Sequence, residues 1–170
     1  MVTTIWKNWP FAAALAAAVI LVIAHGFQTF GHLQPCELCL KERQFYWFVL
    51  AGGLAGGAVT RVAPRLGAGL CLLIGLIFLG GAALSAYHAG VEWKLWAGPA
   101  SCTGGGQRVT AADLDRLLRG GAMAVPQCDR AAWVFLGLSM AGWNVLLSLG
   151  LAAASFFAAR LNAKLRKLTQ

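Results

Sequence analysis

A chain of 170 residues that is 59% hydrophobic and only 12% charged, with a mean hydropathy of +0.67, excludes a water-soluble globular domain. The formal net charge of +8 accompanies no soluble basic domain, which excludes nucleic-acid binding as its origin. Residues 8–36, 44–60, 66–91 and 131–159 contain no Asp, Glu, Lys or Arg, and each run can hold one helix across a hydrocarbon core that takes about 20 residues.

In chain order, spans are predicted at 10–30, 42–61, 66–88 and 132–158, separated by polar loops at 31–41 and 89–131. Backbone polar groups in lipid must be satisfied within the segment, so the prediction is an all-α membrane protein, a four-transmembrane-helix bundle forming one domain over 1–170. The first run follows Lys7 and is rich in alanine, as a signal peptide would be. It is too long for one and no polar cleavage region follows, so it is read as the first span. Gly52-Gly53, Gly56-Gly57 and Gly80-Gly81 would let helix backbones approach closely.

Orientation follows from Lys and Arg. One side holds Lys7, Arg61, Arg65, Arg160, Lys164, Arg166 and Lys167; the other holds Lys41, Arg43, Lys94, Arg108, Arg116, Arg119 and Arg130. The counts tie, but the first seven lie in short segments without a single acid, whereas all six Asp and Glu are on the second side. Both termini are therefore expected in the cytoplasm and the two polar loops outside.

Cys36-Glu37-Leu38-Cys39 lies in the first outer loop, and Cys102 and Cys128 lie in the second. Cys71 falls inside the third apolar run and reads as a small buried hydrophobe. Four thiols in an oxidising compartment fit two disulfides or two exchangeable dithiols, with three possible pairings. Pro35 disfavours helix for the residue before it, so the second helix is expected to start around Cys36 to Cys39, where its N-terminal dipole stabilises a thiolate. Arg43, four residues after Cys39, shares its helical face and favours the ionised thiol, or else simply anchors the helix at the headgroups.

Zinc sites use Cys-x-x-Cys too, usually as two short-spaced pairs, and Cys102 and Cys128 are not short-spaced. Haem attachment needs His after Cys39, where Leu40 stands. A bond between Cys102 and Cys128 would stabilise the loop by about 3 kcal/mol in the chain-entropy model. Cys36 and Cys39 would close almost no loop, so a bond between them is a poor staple and more suited to exchange.

In the second loop, Trp93 and Trp96, with Trp133 at its end, suit a bilayer interface. Thr110 to Asp113 resembles a capping start, and Leu114, Leu117 and Leu118 continue at helical spacing to Gly120-Gly121, predicting a short amphipathic helix. Gly104 to Gly106 would let a partner reach Cys102.

Pro35-Cys36-x-x-Cys39-x-x-Glu42-Arg43, Cys102, Cys128 and Trp133-x-Phe135-Leu136-Gly137-Leu138-x-Met140-x-x-Trp143 together resemble the bacterial disulfide bond formation protein B (DsbB) family over nearly the whole chain. The vitamin K epoxide reductase family also combines a bundle with Cys-x-x-Cys, but carries the motif late in the bundle. The resemblance implies a quinone-linked thiol oxidase of the bacterial inner membrane. In it a reduced periplasmic DsbA-like thioredoxin-fold protein attacks a Cys102–Cys128 disulfide at Cys102, Cys128 engages Cys36, and Cys39 faces ubiquinone or menaquinone. Arg43, by its family position, assists at the quinone, and Glu42 beside it is carried as a further quinone-side residue. A DsbA-type oxidant sits near about −120 mV, so its reoxidation demands an acceptor stronger than glutathione. No glycine-rich nucleotide fingerprint is present to supply another.

His88 and Glu92 follow the third span and read better as an interfacial structural pair than as a proton carrier. His25 and His32 carry no functional reading. Two competing classes remain at this level: a non-catalytic membrane protein with structural disulfides, and a metal-binding one using the four outer cysteines.

Overall fold

The computed structural model describes residues 6, 8–99, 102, 114, 115, 118, 119 and 127–168. Four long helices carry the fold: α1 Trp9–Thr29, α2 Glu37–Val62, α3 Gly67–Glu92 and α4 Met140–Leu168. All four are long and apolar enough to cross a membrane. A single 3-10 turn, Pro64–Leu66, links α2 to α3, and a two-stranded hairpin, β1 Val134–Phe135 and β2 Leu138–Ser139, precedes α4.

Helix α1 packs on α2, α2 on α3, and α3 most extensively on α4. Close approach depends on absent side chains. A Cβ at Gly53 would stand 2.6 Å from the Pro10 carbonyl oxygen of α1, and one at Gly75 would stand 2.6 Å from the Phe156 ring of α4. Trp9, Ala13, Ala17, Tyr46, Val49, Cys71, Ile74, Phe78 and Ala152 form the main core. Cys71 is fully buried there.

Polarity is distributed opposite to that of a soluble bundle. Val22, Phe48 and Leu73 face outward and exposed, whereas Glu42, Ser85, His88, Ser148 and Ser155 are buried. Lipid offers apolar side chains no reason to turn inward, so the interior is free to collect the polar groups that function or helix pairing needs.

α2 begins at Glu37, within the Cys36 to Cys39 start expected from Pro35 and ahead of the span placed at 42, because Cys36 caps it: its backbone is extended (φ −74°, ψ 173°) and its sulfur accepts the Cys39 N–H at 3.2 Å. Lys41 and Arg43 therefore lie within the helix, and Lys41 pairs with Glu37 one turn away at 2.7 Å. α4 begins at Met140 rather than 132, because Leu136 (φ 51°) and Gly137 (φ 78°) make the two-residue turn of the hairpin. Ser139 then accepts the Gly142 N–H at 3.1 Å and starts the helix. At its other end α4 runs on to Leu168, with Arg166 and Lys167 beside the negative end of the dipole.

In the second loop, Leu114, Asp115 and Leu118 are helical, and the Arg119 N–H bonds the Asp115 carbonyl at 3.1 Å. Thr110 to Asp113, Leu117, Gly104 to Gly106 and Gly120-Gly121, which complete the expected amphipathic helix and flexible stretch, lie outside the described residues. Trp96 stacks on Tyr87 and donates to its carbonyl at 2.9 Å.

Candidate redox site

The start of α2, the end of α3, the start of α4 and the second loop converge at one end of the bundle. Cys102 and Cys128 form a disulfide. Its two cysteines are buried in an apolar cluster with Cys36, Leu38 and Val91, and Cys39 and Leu84 pack against that cluster. All four cysteines expected to be redox-active therefore meet. The four-cysteine metal set is not assembled, since two of its members are bonded to each other.

Cys36 and Cys39 are thiols with sulfurs 2.8 Å apart. The cap geometry changes which sulfur the helix start serves. Its N–H groups reach Cys36, not the Cys39 sulfur that the spacing suggested. A hydrogen bond from the Cys39 thiol, helped by the backbone N–H groups of Cys39 and Leu38, holds the Cys36 thiol below its ordinary range against the opposing effect of burial.

Arg43 is half-buried and donates to the Gln28 side chain at 2.7 Å and to the Ala24 carbonyl at 3.1 Å, both on α1. It does not hydrogen-bond Cys39. The two residues meet instead across a cavity of about 700 Å³ between α1, α2, the hairpin and α4, which Ala24, Phe27, Trp133, Trp143 and Leu147 also line. His32 reaches its rim, whereas His25 bonds only its own helix, through the Leu21 carbonyl.

Glu42 turns away from Arg43 into the bundle. One carboxylate oxygen accepts from His88 Nδ1 at 2.7 Å and the other from Asn144 Nδ2 at 2.7 Å. The second Asn144 N–H goes to Ser85 at 2.7 Å, and Ser85 donates to the Gly81 carbonyl. Tyr46 donates to Asn144 Oδ1, which leaves Ser148 to donate to the Tyr46 oxygen at 2.8 Å. This places a fully satisfied polar chain in the bundle core. Because His88 Nδ1 is committed to Glu42, its Nε2 faces the Cys36 sulfur at 3.6 Å.

His88 is thus part of the dithiol's surroundings as well as half of the expected pair, with Glu92 3.9 Å from its Nε2. Asn144, Tyr46, Ser85 and Ser148 had no place in the sequence reading. The available signal was a face: Ser85, His88 and Glu92 recur at helical spacing in an otherwise apolar run, as do Glu42 and Tyr46, and Asn144 and Ser148.

Outside the bundle, Lys94 pairs with Asp129 and ties the end of α3 to the residue after Cys128. That hydrogen bond and the ammonium charge hold the Asp129 carboxyl below its usual range.

A membrane bundle that buries a disulfide against a Cys-x-x-Cys dithiol is a multi-pass thiol–disulfide oxidoreductase. The family model described as "Disulfide bond formation protein DsbB" matches residues 7–158. Curated relatives named "Disulfide bond formation protein B" include that of Methylococcus capsulatus, 33% identical over 150 residues (85% of each chain), and that of Hahella chejuensis, 30% identical over 151 residues (87% of this chain, 90% of the relative). Another, from an Azoarcus species, is 31% identical over 153 residues (85% and 87%). The chain belongs to the DsbB family: it is a membrane protein of disulfide bond formation.

Proposed function

We propose that the chain is a thiol:quinone oxidoreductase of the bacterial inner membrane that reoxidises a periplasmic DsbA-like dithiol and passes two electrons to a membrane quinone. The observation that carries this reading is that the dithiol touches both of its proposed redox neighbours. Cys36 is buried with the Cys102–Cys128 disulfide and Cys39 packs against them, while both sulfur-bearing residues line the largely apolar cavity that Arg43 also lines.

The cavity's fit to a quinone ring rests on its apolar lining and on the N–H groups of Arg43, which meet only neutral acceptors among the described residues. When bound, ubiquinone or menaquinone supplies an acceptor for two electrons and two protons. The chain's own steps are thiol exchange. A partner thiolate attacks Cys102, forming a mixed disulfide and releasing Cys128 as a thiolate. Cys128 attacks Cys36 of an oxidised Cys36–Cys39 pair, breaking that bond and freeing Cys39 as a thiolate at the cavity.

The partner's second thiol then displaces Cys102, which leaves the partner oxidised. Cys102 in turn displaces Cys36 from Cys128. This restores the Cys102–Cys128 bond and leaves Cys36 and Cys39 reduced, holding the two electrons. His88, fixed by Glu42, is placed to take the Cys36 proton as that pair is reoxidised. Arg43 orients the acceptor, and Glu42, which also lines the cavity, holds His88 in place. The density of Lys and Arg in the short segments supports cytoplasmic termini and periplasmic cysteine loops.

Purified protein mixed with a reduced thioredoxin-fold oxidase and quinone should form one quinol per partner dithiol oxidised. Cys39→Ser should abolish that turnover and Cys71→Ser should leave it largely intact. Normal quinol production by the Cys39→Ser protein would remove Cys39 from the route.

A further inference from the structure

We propose that the reduced Cys36 and Cys39, with His88, form a binding site for one thiophilic divalent ion of the zinc or cadmium class, which withdraws the dithiol from exchange. It needs only these three side chains and is independent of the electron route above. The two sulfurs and a His88 nitrogen all lie within 4.8 Å of one another. A tetrahedral ion with bonds of about 2.3 Å to sulfur and about 2.0–2.1 Å to nitrogen sets its ligands roughly 3.5–3.8 Å apart. The Cys36 sulfur and His88 Nε2 already stand at 3.6 Å. The sulfurs, at 2.8 Å, have to part by about 1 Å. Cys39 is half-buried and borders the cavity, so its side chain has room to do so.

Three further features suit an ion. The His88 Nδ1–H is fixed on Glu42, and Glu42 on Asn144, which is the carboxylate–histidine support that metal-bound imidazoles receive. Two thiolates with a neutral His88 balance a divalent charge, so the three-ligand complex carries no net charge until a carboxylate joins it; binding releases the two thiol protons. A fourth donor stands nearby. The Glu92 side chain is 6% exposed, its Oε1 is 3.9 Å from His88 Nε2, and its Oε2 has no hydrogen-bond partner among the described residues. Oxidation of Cys36 and Cys39 to a disulfide removes two of the ligands, so ion binding and oxidation exclude each other.

Cadmium is the probe, because its thiolate complexes absorb in the ultraviolet. The Cys102→Ser/Cys128→Ser protein, reduced and desalted in detergent, should bind one equivalent with that absorption and release two protons. The same protein with Cys36–Cys39 oxidised should bind none. Adding His88→Ala should weaken the affinity at least tenfold, and adding Glu42→Gln should weaken it about 10–100-fold. Absence of the one-equivalent signal in the reduced protein, equal binding before and after oxidation, or unchanged affinity in both variants would each overturn the site. The oxidised and reduced arms use one protein, so that comparison does not depend on the substitutions folding. Loss of quinol turnover in metal-free wild type would sink the proposed function and leave this result untouched.

Discussion

At the scale of single residues, Cys36 owes its acidity to neighbours that can be removed one at a time. Its largest support is the hydrogen bond from Cys39, so in reduced protein the Cys39→Ala substitution should move Cys36 alkylation to higher pH. Following iodoacetamide labelling against pH checks this, and a profile that does not move would assign the effect to the backbone N–H groups alone. Asn144 holds Glu42, Ser85 and Tyr46 together. Asn144→Leu leaves a buried carboxylate short of a donor, at a cost of about 1–3 kcal/mol. It should lower the thermal midpoint and, by loosening His88, slow quinol formation.

The Cys-x-x-Cys motif and the charge-free runs made the dithiol and the bundle legible in the sequence. Spacing could not say which of the two sulfurs the helix start would serve, because that depended on Cys36, not an earlier residue, taking the extended cap conformation. Nor could it place His88, which is 52 residues from Cys36 and reaches it only through the packing of α3 beside α2.

Among the elements, the contact between α1 and α2 depends on missing Cβ atoms at Gly53, against Pro10, and Gly57, against Phe11. Gly53→Val would drive a side chain into the Pro10 carbonyl, whereas a Cβ at the adjacent Gly52 meets nothing within 4 Å. Overpacking of this kind costs about 1–3 kcal/mol, so Gly53→Val should lower the melting temperature in detergent and Gly52→Ala should scarcely change it. The hairpin before α4 escaped the sequence reading for a related reason. Phe135-Leu136-Gly137-Leu138 is apolar throughout and continues the following helical run without a break. Only the backbone at Leu136 and Gly137 divides them. The Lys94–Asp129 tether carries its own signature. The folded carboxyl titrates below its unfolded value, so the tether's contribution is present above about pH 4 and is lost as pH falls through the folded value. Hydrogen exchange around Asp129 should rise in acid and, because the pair is exposed, in high salt.

For the whole molecule, the inward polarity and outward apolar belt fit a bilayer, and the basic residues support the proposed direction. With native cysteines replaced by serine, Asp129→Cys should react with a membrane-impermeant maleimide on intact spheroplasts. Lys164→Cys should react only after lysis. The opposite pattern would overturn the proposed topology.

The disulfide proposed to receive the partner is turned inward: Cys102 and Cys128 are 2% and 1% exposed. An oxidant shut away in this manner is hidden from glutathione and other small stray reductants, which would otherwise discharge it without useful work. Selectivity then comes from concealment. On the proposed route, only a visitor with enough docking surface to expose these two sulfurs can collect the oxidising equivalents, and the pace of that exposure sets a ceiling on delivery.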